Sequence, residues 1–383
     1  MRTRVNSPGE KVRRYIVENV EKHPDSIARV AADHFDITRQ AVNKHLQRLV
    51  EEGCLAESGI TRNRVYKLVP LAKWMKTYKI VPALAEDVVW TNDVSVALGH
   101  LPDNVKNIWH HGFTEMFNNA IDHSEGTTIA VQIIKTAASA EMVIADNGVG
   151  IFKKIQQRFG LLDERHAILE LSKGKLTTDP KNHTGEGIFF TSRMFDSFDI
   201  LSGGAFFTHE FGKKEDWMVE RKASKNGTAV FMRLHNHTSR TTKKVFDMFV
   251  SGEDFDFSKT VVPVDLGRYG NDNLVSRSSA KRVLARVDLF KTVVFDFKGV
   301  ETIGQAFADE IFRVFANAHP GVQLYAIHTN AQVERMIGRA RNTTKTPEAA
   351  ELAFLRLAPT VIQSPAPAEK IAEPESEKKP AKS

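Results

Sequence analysis

The apolar residues Val12, Tyr15, Ile16 and Val20 recur at helical spacing, and Ile27, Val30 and Ala31 begin a second such stripe. Thr38 is a candidate N-cap for a third helix, Arg39 to Val50, that stops near Gly53. Its inner positions Val42, Leu46 and Leu49 are expected to pack, while Arg39, Gln40, Asn43 and Lys44 project outward. The run CLAES-GITRNR-VYKLV then reads as two strands joined by a turn that carries Arg62, Asn63 and Arg64. Residues 95–237 mix helix and strand: a helical stretch HGFTEMFNNAIDHS, then a hairpin from alternating Ile129, Val131 and Ile133 to the run Met142–Ala145. WMVERKAS-KNG-TAVFMRLHN predicts a closing hairpin about an Asn-Gly turn. Residues 258–342 alternate strand and helix three times, which predicts a small α/β layer. No internal repeat at a fixed period is present, so neither a solenoid nor a propeller is expected.

Composition turns these patterns into domains. A chain of 383 residues holds two or three domains, at about 150 residues each. With 42% hydrophobic and 26% charged residues, it has the make-up of a globular protein. From about Thr343 the chain is rich in Pro, Ala, Glu, Lys and Ser, and is expected to stay a disordered tail. The expected fold is therefore multidomain α+β, with units at 1–70, 71–237 and 258–342, a linker at 238–257 and a tail at 343–383. No apolar run approaches the roughly 18 residues of a spanning helix, and the first residues lack the apolar segment of a secretory signal. No membrane partner and a cytoplasmic location are expected. One cysteine, Cys54, excludes an internal disulfide framework and a multi-cysteine zinc ribbon. The net charge of +6 permits an anionic partner such as nucleic acid or nucleotide.

The exposed Arg39, Gln40, Asn43 and Lys44 are donor-rich, as base edges and phosphates in a major groove require. Arg62 and Arg64 add charge suited to a DNA backbone. In the middle segment, Glu115, Asn119 and Asp122 fall within one narrow stripe of a helix, opposite Phe113 and Phe117. An Asn carbonyl oxygen can join Mg²⁺ beside triphosphate oxygens, and a nearby carboxylate can orient or deprotonate a water aimed at the γ-phosphate. Asp146 ends a strand, where a carboxylate can accept from an exocyclic amine such as adenine N6. Gly148 and Gly150 let the base approach the backbone. Further on, Thr184, Gly185 and Gly187 precede a helix whose free N–H groups suit phosphate. Lys173, Lys175 and Lys181 are candidate phosphate contacts for which a solvated surface is the plainer reading.

The segment Thr38–Gly53, TRQAVNKHLQRLVEEG, resembles the winged helix-turn-helix family, which implies a DNA partner for residues 1–70; a small helical protein-binding domain is the alternative. The three middle elements, in this order, resemble the Bergerat-fold ATPases, the family of gyrase and of histidine and anti-sigma kinases, over roughly residues 100–237. That resemblance implies ATP and Mg²⁺ as cofactors, with Glu115 activating water, Asn119 on the metal, Asp146 on adenine, and Asp122, Gly148, Gly150, Thr184, Gly185 and Gly187 around the nucleotide. No acceptor-histidine helix precedes Asn107, and His110 and His111 lie too close to the ATP helix to act as phosphate acceptors. The run FDFKGVETIGQAFADE resembles the STAS-like domains, which implies a protein partner; Gln305 stands where an antagonist carries a phosphorylatable Ser. Together these features imply a nucleotide-responsive, DNA-binding transcription regulator. An ATP-dependent protein-serine kinase or ATPase, targeted by the winged helix, is the alternative.

Overall fold

A computed structural model describes residues 7–60, 63–176, 185–211, 217–250, 257–268 and 274–342. The expected tail, Thr184, Lys181 and Arg62 lie outside the described residues.

The chain starts with α1 (Pro8–Asn19), α2 (Ile27–Phe35) and α3 (Arg39–Glu51). Side-chain caps fix two of the starts: Ser7 Oγ accepts from Glu10 N at 3.3 Å and Thr38 Oγ1 from Ala41 N at 3.2 Å. Asp36, with φ of 51°, turns the chain out of α2. Val12, Ile16, Val20, Ala31, Val42, Leu46 and Leu49 close a small core, as their helical spacing predicts. β1 (Leu55–Ser58) and β2 (Val65–Leu68) pair antiparallel beside it, Leu55 opposite Leu68.

Three residues after β2, the chain becomes β3 (Ala72–Lys79), an edge strand that the periodicity did not single out. Two short helices, α4 (Glu86–Val89) and α5 (Ser95–Leu98), are joined by one wide turn at Trp90–Val94. The long α6 (Asp103–His123) follows, then β4 (Thr128–Lys135) and β5 (Ser139–Asp146). Next come α7 (Ile151–Phe159), α8 (Glu164–Lys173) and α9 (Gly187–Met194), then β6 (Ser197–Glu210) and β7 (Trp217–His235). The five strands form one antiparallel sheet in the order β3-β4-β5-β7-β6. Ile129, Val131 and Ile133 of β4 are fully buried, with Phe113 and Phe117 of α6 in the same core. Each of these phenylalanines contributes on the order of 2–3 kcal/mol by leaving water. That burial fixes which face of α6 remains for other work.

One expectation is corrected in this region. Asn226 and Gly227 do not form the hairpin turn: β7 runs through them, and the β6–β7 connection falls between Phe211 and Trp217. The pairing with β6 jumps from Ser202–Thr228 to Gly203–Lys225, so the two residues form a bulge. Gly227, with φ of 99°, is required there because a Cβ would strike the backbone oxygen of Asp146. The segment expected as a linker, 238–257, carries α10 (Thr242–Asp247). Val245 is fully buried and the Phe246 ring lies 4.4 Å from that of Phe190. Asn104 Nδ2 donates to Thr238 O and Arg240 O, both at 2.8 Å, and Arg240 Nη1 donates to Met194 O at 2.9 Å and Phe195 O at 2.8 Å.

The last described segment alternates as expected: β8 (Lys259–Pro263), α11 (Arg277–Leu284), β9 (Thr292–Asp296), α12 (Gln305–Asp309), α13 (Ala316–Ala318), β10 (Gln323–Ile327) and α14 (Ala331–Asn342). A wide turn at Glu310–Phe315 makes α12 and α13 continuous. The strands form a parallel sheet, β10-β9-β8. One buried cluster runs from Tyr78 to Ala340 and joins both larger sheets. The chain is thus a mixed α/β protein in which the antiparallel and parallel layers share a core.

Candidate functional site

α6 lies against β5 with Glu115 and Asn119 one turn apart on the side away from Phe113 and Phe117. Both line a cavity of about 330 Å³. Asp146 enters at the end of β5, Thr228 and Val230 from β7, Lys154 from α7, and Gly185 and Gly187 at the start of α9. Met116, Ile144, Ile151, Ile155, Ile188 and Ile200 supply an apolar wall. A few convergent polar groups over an apolar floor is the build of a small-molecule site.

Asp146 is held before any ligand arrives. Its Oδ1 accepts from Gly148 N at 2.8 Å and Thr228 N at 3.3 Å. Burial pushes its pKa up, and these hydrogen bonds work against the rise. A carboxylate has about four lone-pair positions, so acceptor capacity remains for a ligand amine. Asn147 fixes the adjoining turn by accepting on Oδ1 from Thr127 N at 2.8 Å and Thr128 N at 3.0 Å. Gly148 is pressed on the Ser124 carbonyl, where a Cβ has no room. Gly150, with φ of 98°, precedes α7. These two glycines shape the loop beside Asp146 and do not line the cavity themselves.

Glycine at 187 has a direct purpose: a Cβ there would fall inside the Glu115 carboxylate. The first turn of α9 is thereby brought onto α6, with the Glu115 carboxylate against it. Lys154 Nζ sits on the cavity rim, donating to His123 O at 2.7 Å and pairing with Glu125 at 2.9 Å.

Not all expected residues gather here. Asp122 is exposed and outside the cavity lining. It shares the angular stripe of Glu115 but lies seven residues, about 10 Å, further along the axis. Lys173, read as a solvated or phosphate-facing residue, is fully buried and bonded to Glu170 Oε1 at 2.7 Å. Its amine also donates to Ala285 O at 2.8 Å, a cage of acceptors that replaces water. Lys175 Nζ stands over the Phe257 and Phe290 rings at 5.7 and 5.3 Å. Thr228, Lys154, Leu171 and Leu176 are among the lining residues that the sequence reading missed. Thr228 stood at the start of a strand read only as half of a closing hairpin, whereas the helical pattern after Gly150 could have exposed Lys154.

At the N-terminal end, Arg39, Gln40, Asn43 and Lys44 are exposed along α3. Arg39, Asn43 and Arg64 line a shallow groove with Asp25, Ser26, Arg29 and Tyr66. Arg64 pairs with Glu57 at 3.3 Å across the β1–β2 ribbon. Arg29 joins this set without having been expected.

A family profile described as "STAS-like domain of unknown function (DUF4325)" matches residues 279–334, which bears out the resemblance seen at FDFKGVETIGQAFADE. No curated protein matches the chain. No described helix is long and apolar enough to cross a membrane.

Proposed function

We propose that the chain binds an adenine nucleotide with Mg²⁺ in the α6–β5–α9 cavity and regulates a DNA target through its N-terminal helices. In this reading residues 7–70 are a winged helix and 71–237 a Bergerat-type ATP module. The observation that carries it is the convergence of Glu115, Asn119, Asp146, Gly185 and Gly187, spread over 73 positions of sequence, on one cavity.

The residues fit such a ligand. Asp146, with its Oδ1 bonds in place, offers an acceptor to an exocyclic amine; the isoleucines flank an aromatic base; the N-terminal turn of α9 and Lys154 suit phosphate. Among the described residues no three His, Cys, Asp or Glu side chains converge into a metal cage. One carboxamide supplemented by phosphate oxygens is, however, the partial protein set that Mg²⁺ accepts. Asn119 would hold the ion, which neutralises phosphate charge when bound. Glu115, held beside Gly187, would orient a water as general base. DNA recognition rests on the groove shared by Arg39, Asn43 and Arg64.

Glu115→Ala tests the catalytic part. It is expected to retain nucleotide and to lose at least about a hundredfold in hydrolysis rate, the low end for a general base. Equal turnover by the variant and the unaltered chain would remove Glu115 from that role.

A further inference from the structure

This inference rests on the nucleotide reading of the cavity and concerns what holds its wall. From His166 to Lys173 every residue of α8 is buried. Leu171 on the helix and Leu176 just beyond it are cavity wall. The opposite side of the same segment is held by the STAS-like layer. Arg286 Nη1 donates to Glu170 Oε2 at 3.2 Å, while its Nη2 donates to Gly174 O at 3.4 Å and to Lys175 O. Lys173 Nζ completes the joint on Glu170, Ala285 O and Arg282 O.

Two features separate this joint from an ordinary buried ion pair. First, the guanidinium reaches the carbonyls of residues 174 and 175, directly before the wall residue Leu176, whose N–H donates to Gly185 O at 3.1 Å on the other rim. Second, Lys175 and Arg286 both have left-handed backbones, with φ of 52° and 60°. Non-glycine residues keep such conformations where their surroundings over-determine them, and such places cluster at ligand clamps and switches.

We propose that Arg286 is a positioning residue for the nucleotide cavity, through which the STAS-like layer sets nucleotide affinity. The planar fork divides its contacts between two nitrogens, Nη1 on the carboxylate and Nη2 on the two carbonyls, a fixed spread that the single ammonium nitrogen of a lysine at 286 does not reproduce. Coupling is reciprocal, so a protein partner that shifts the Ala285–Phe290 loop changes nucleotide affinity by the same factor as nucleotide changes the partner's.

The test uses the full chain, a mant-labelled ADP with Mg²⁺ as probe, and amide hydrogen exchange. Arg286→Ala and Arg286→Lys are each expected to raise the Kd at least about fivefold, the low end of measured couplings, while Arg335→Ala, at an exposed position of α14, leaves it unchanged. In the unaltered chain, probe binding is expected to slow exchange in 170–176 and in 282–290 together. An Arg286→Lys protein of unchanged Tm and unchanged Kd overturns the proposal. So does slowing confined to 170–176, a result that needs no variant. Failure of the unaltered chain to bind the probe overturns the nucleotide reading itself, and this inference with it.

Discussion

At the scale of single residues, the cavity depends on positions where nothing may be added. Gly187 lets α9 rest on the Glu115 carboxylate. Gly187→Ala forces that carboxylate away, an overpacking cost of about 1–3 kcal/mol located at the proposed phosphate end. Its expected outcome is a nucleotide Kd raised roughly tenfold, with a smaller loss of Tm, measured by titration and thermal melting. Unchanged affinity would mean that α9 and α6 do not clamp the ligand between them. Glu115, Asn119 and Asp146 were legible in the sequence because donor chemistry, helical spacing and a strand end each constrain them independently. Lys173 was not legible. A lysine is read as solvated by default, and only the fold brings Glu170 and the α11 carbonyls around its amine.

At the scale of elements, amphipathic periodicity located the helices α1, α2, α3 and α6, and alternation located β4 and the parallel layer. It failed at β3, where Lys73, Met75, Thr77 and Lys79 give an edge strand a mostly polar outer side. The Asn-Gly pair misled because the same left-handed preference serves a hairpin turn and a β-bulge, and only the partner strand distinguishes them. Element logic also divides the N-terminal groove. Asn43 stands on α3 and Arg64 on the β1–β2 ribbon, so the two are expected to fail differently on DNA. Asn43→Ala is expected to reduce preference for a selected duplex over a scrambled one by about 1–3 kcal/mol. Arg64→Ala is expected to weaken both duplexes and to lower the salt slope by about 1. Affinities over a salt series check this, and identical behaviour of the two variants would contradict the assignment of base reading to α3.

At the scale of the molecule, the cavity stands between two attachments. β5 and β7 run from Asp146 and Thr228 at the cavity to Ser139 and His235 at the other end, next to Ala138. There Ala138 packs into the N-terminal core and Arg233 pairs with Glu21, in the turn between α1 and α2, at 2.5 Å. α8 runs from the cavity to the STAS-like layer. Strands in the middle of a sheet are stiff, whereas a joint of hydrogen bonds and left-handed turns has alternatives, so the second attachment is where switching is expected to reside. Any such response requires the ligand to bind two arrangements with different free energies.

All of this depends on occupancy of one cavity. The most direct measurement is a calorimetric titration of the full chain with Mg-ATP, repeated for Asn119→Ala and Asp146→Asn. Saturable binding by the unaltered chain, weakened about tenfold or more in each variant at unchanged Tm, is the predicted result. Equal affinities in all three proteins, or no binding in any, would contradict the account.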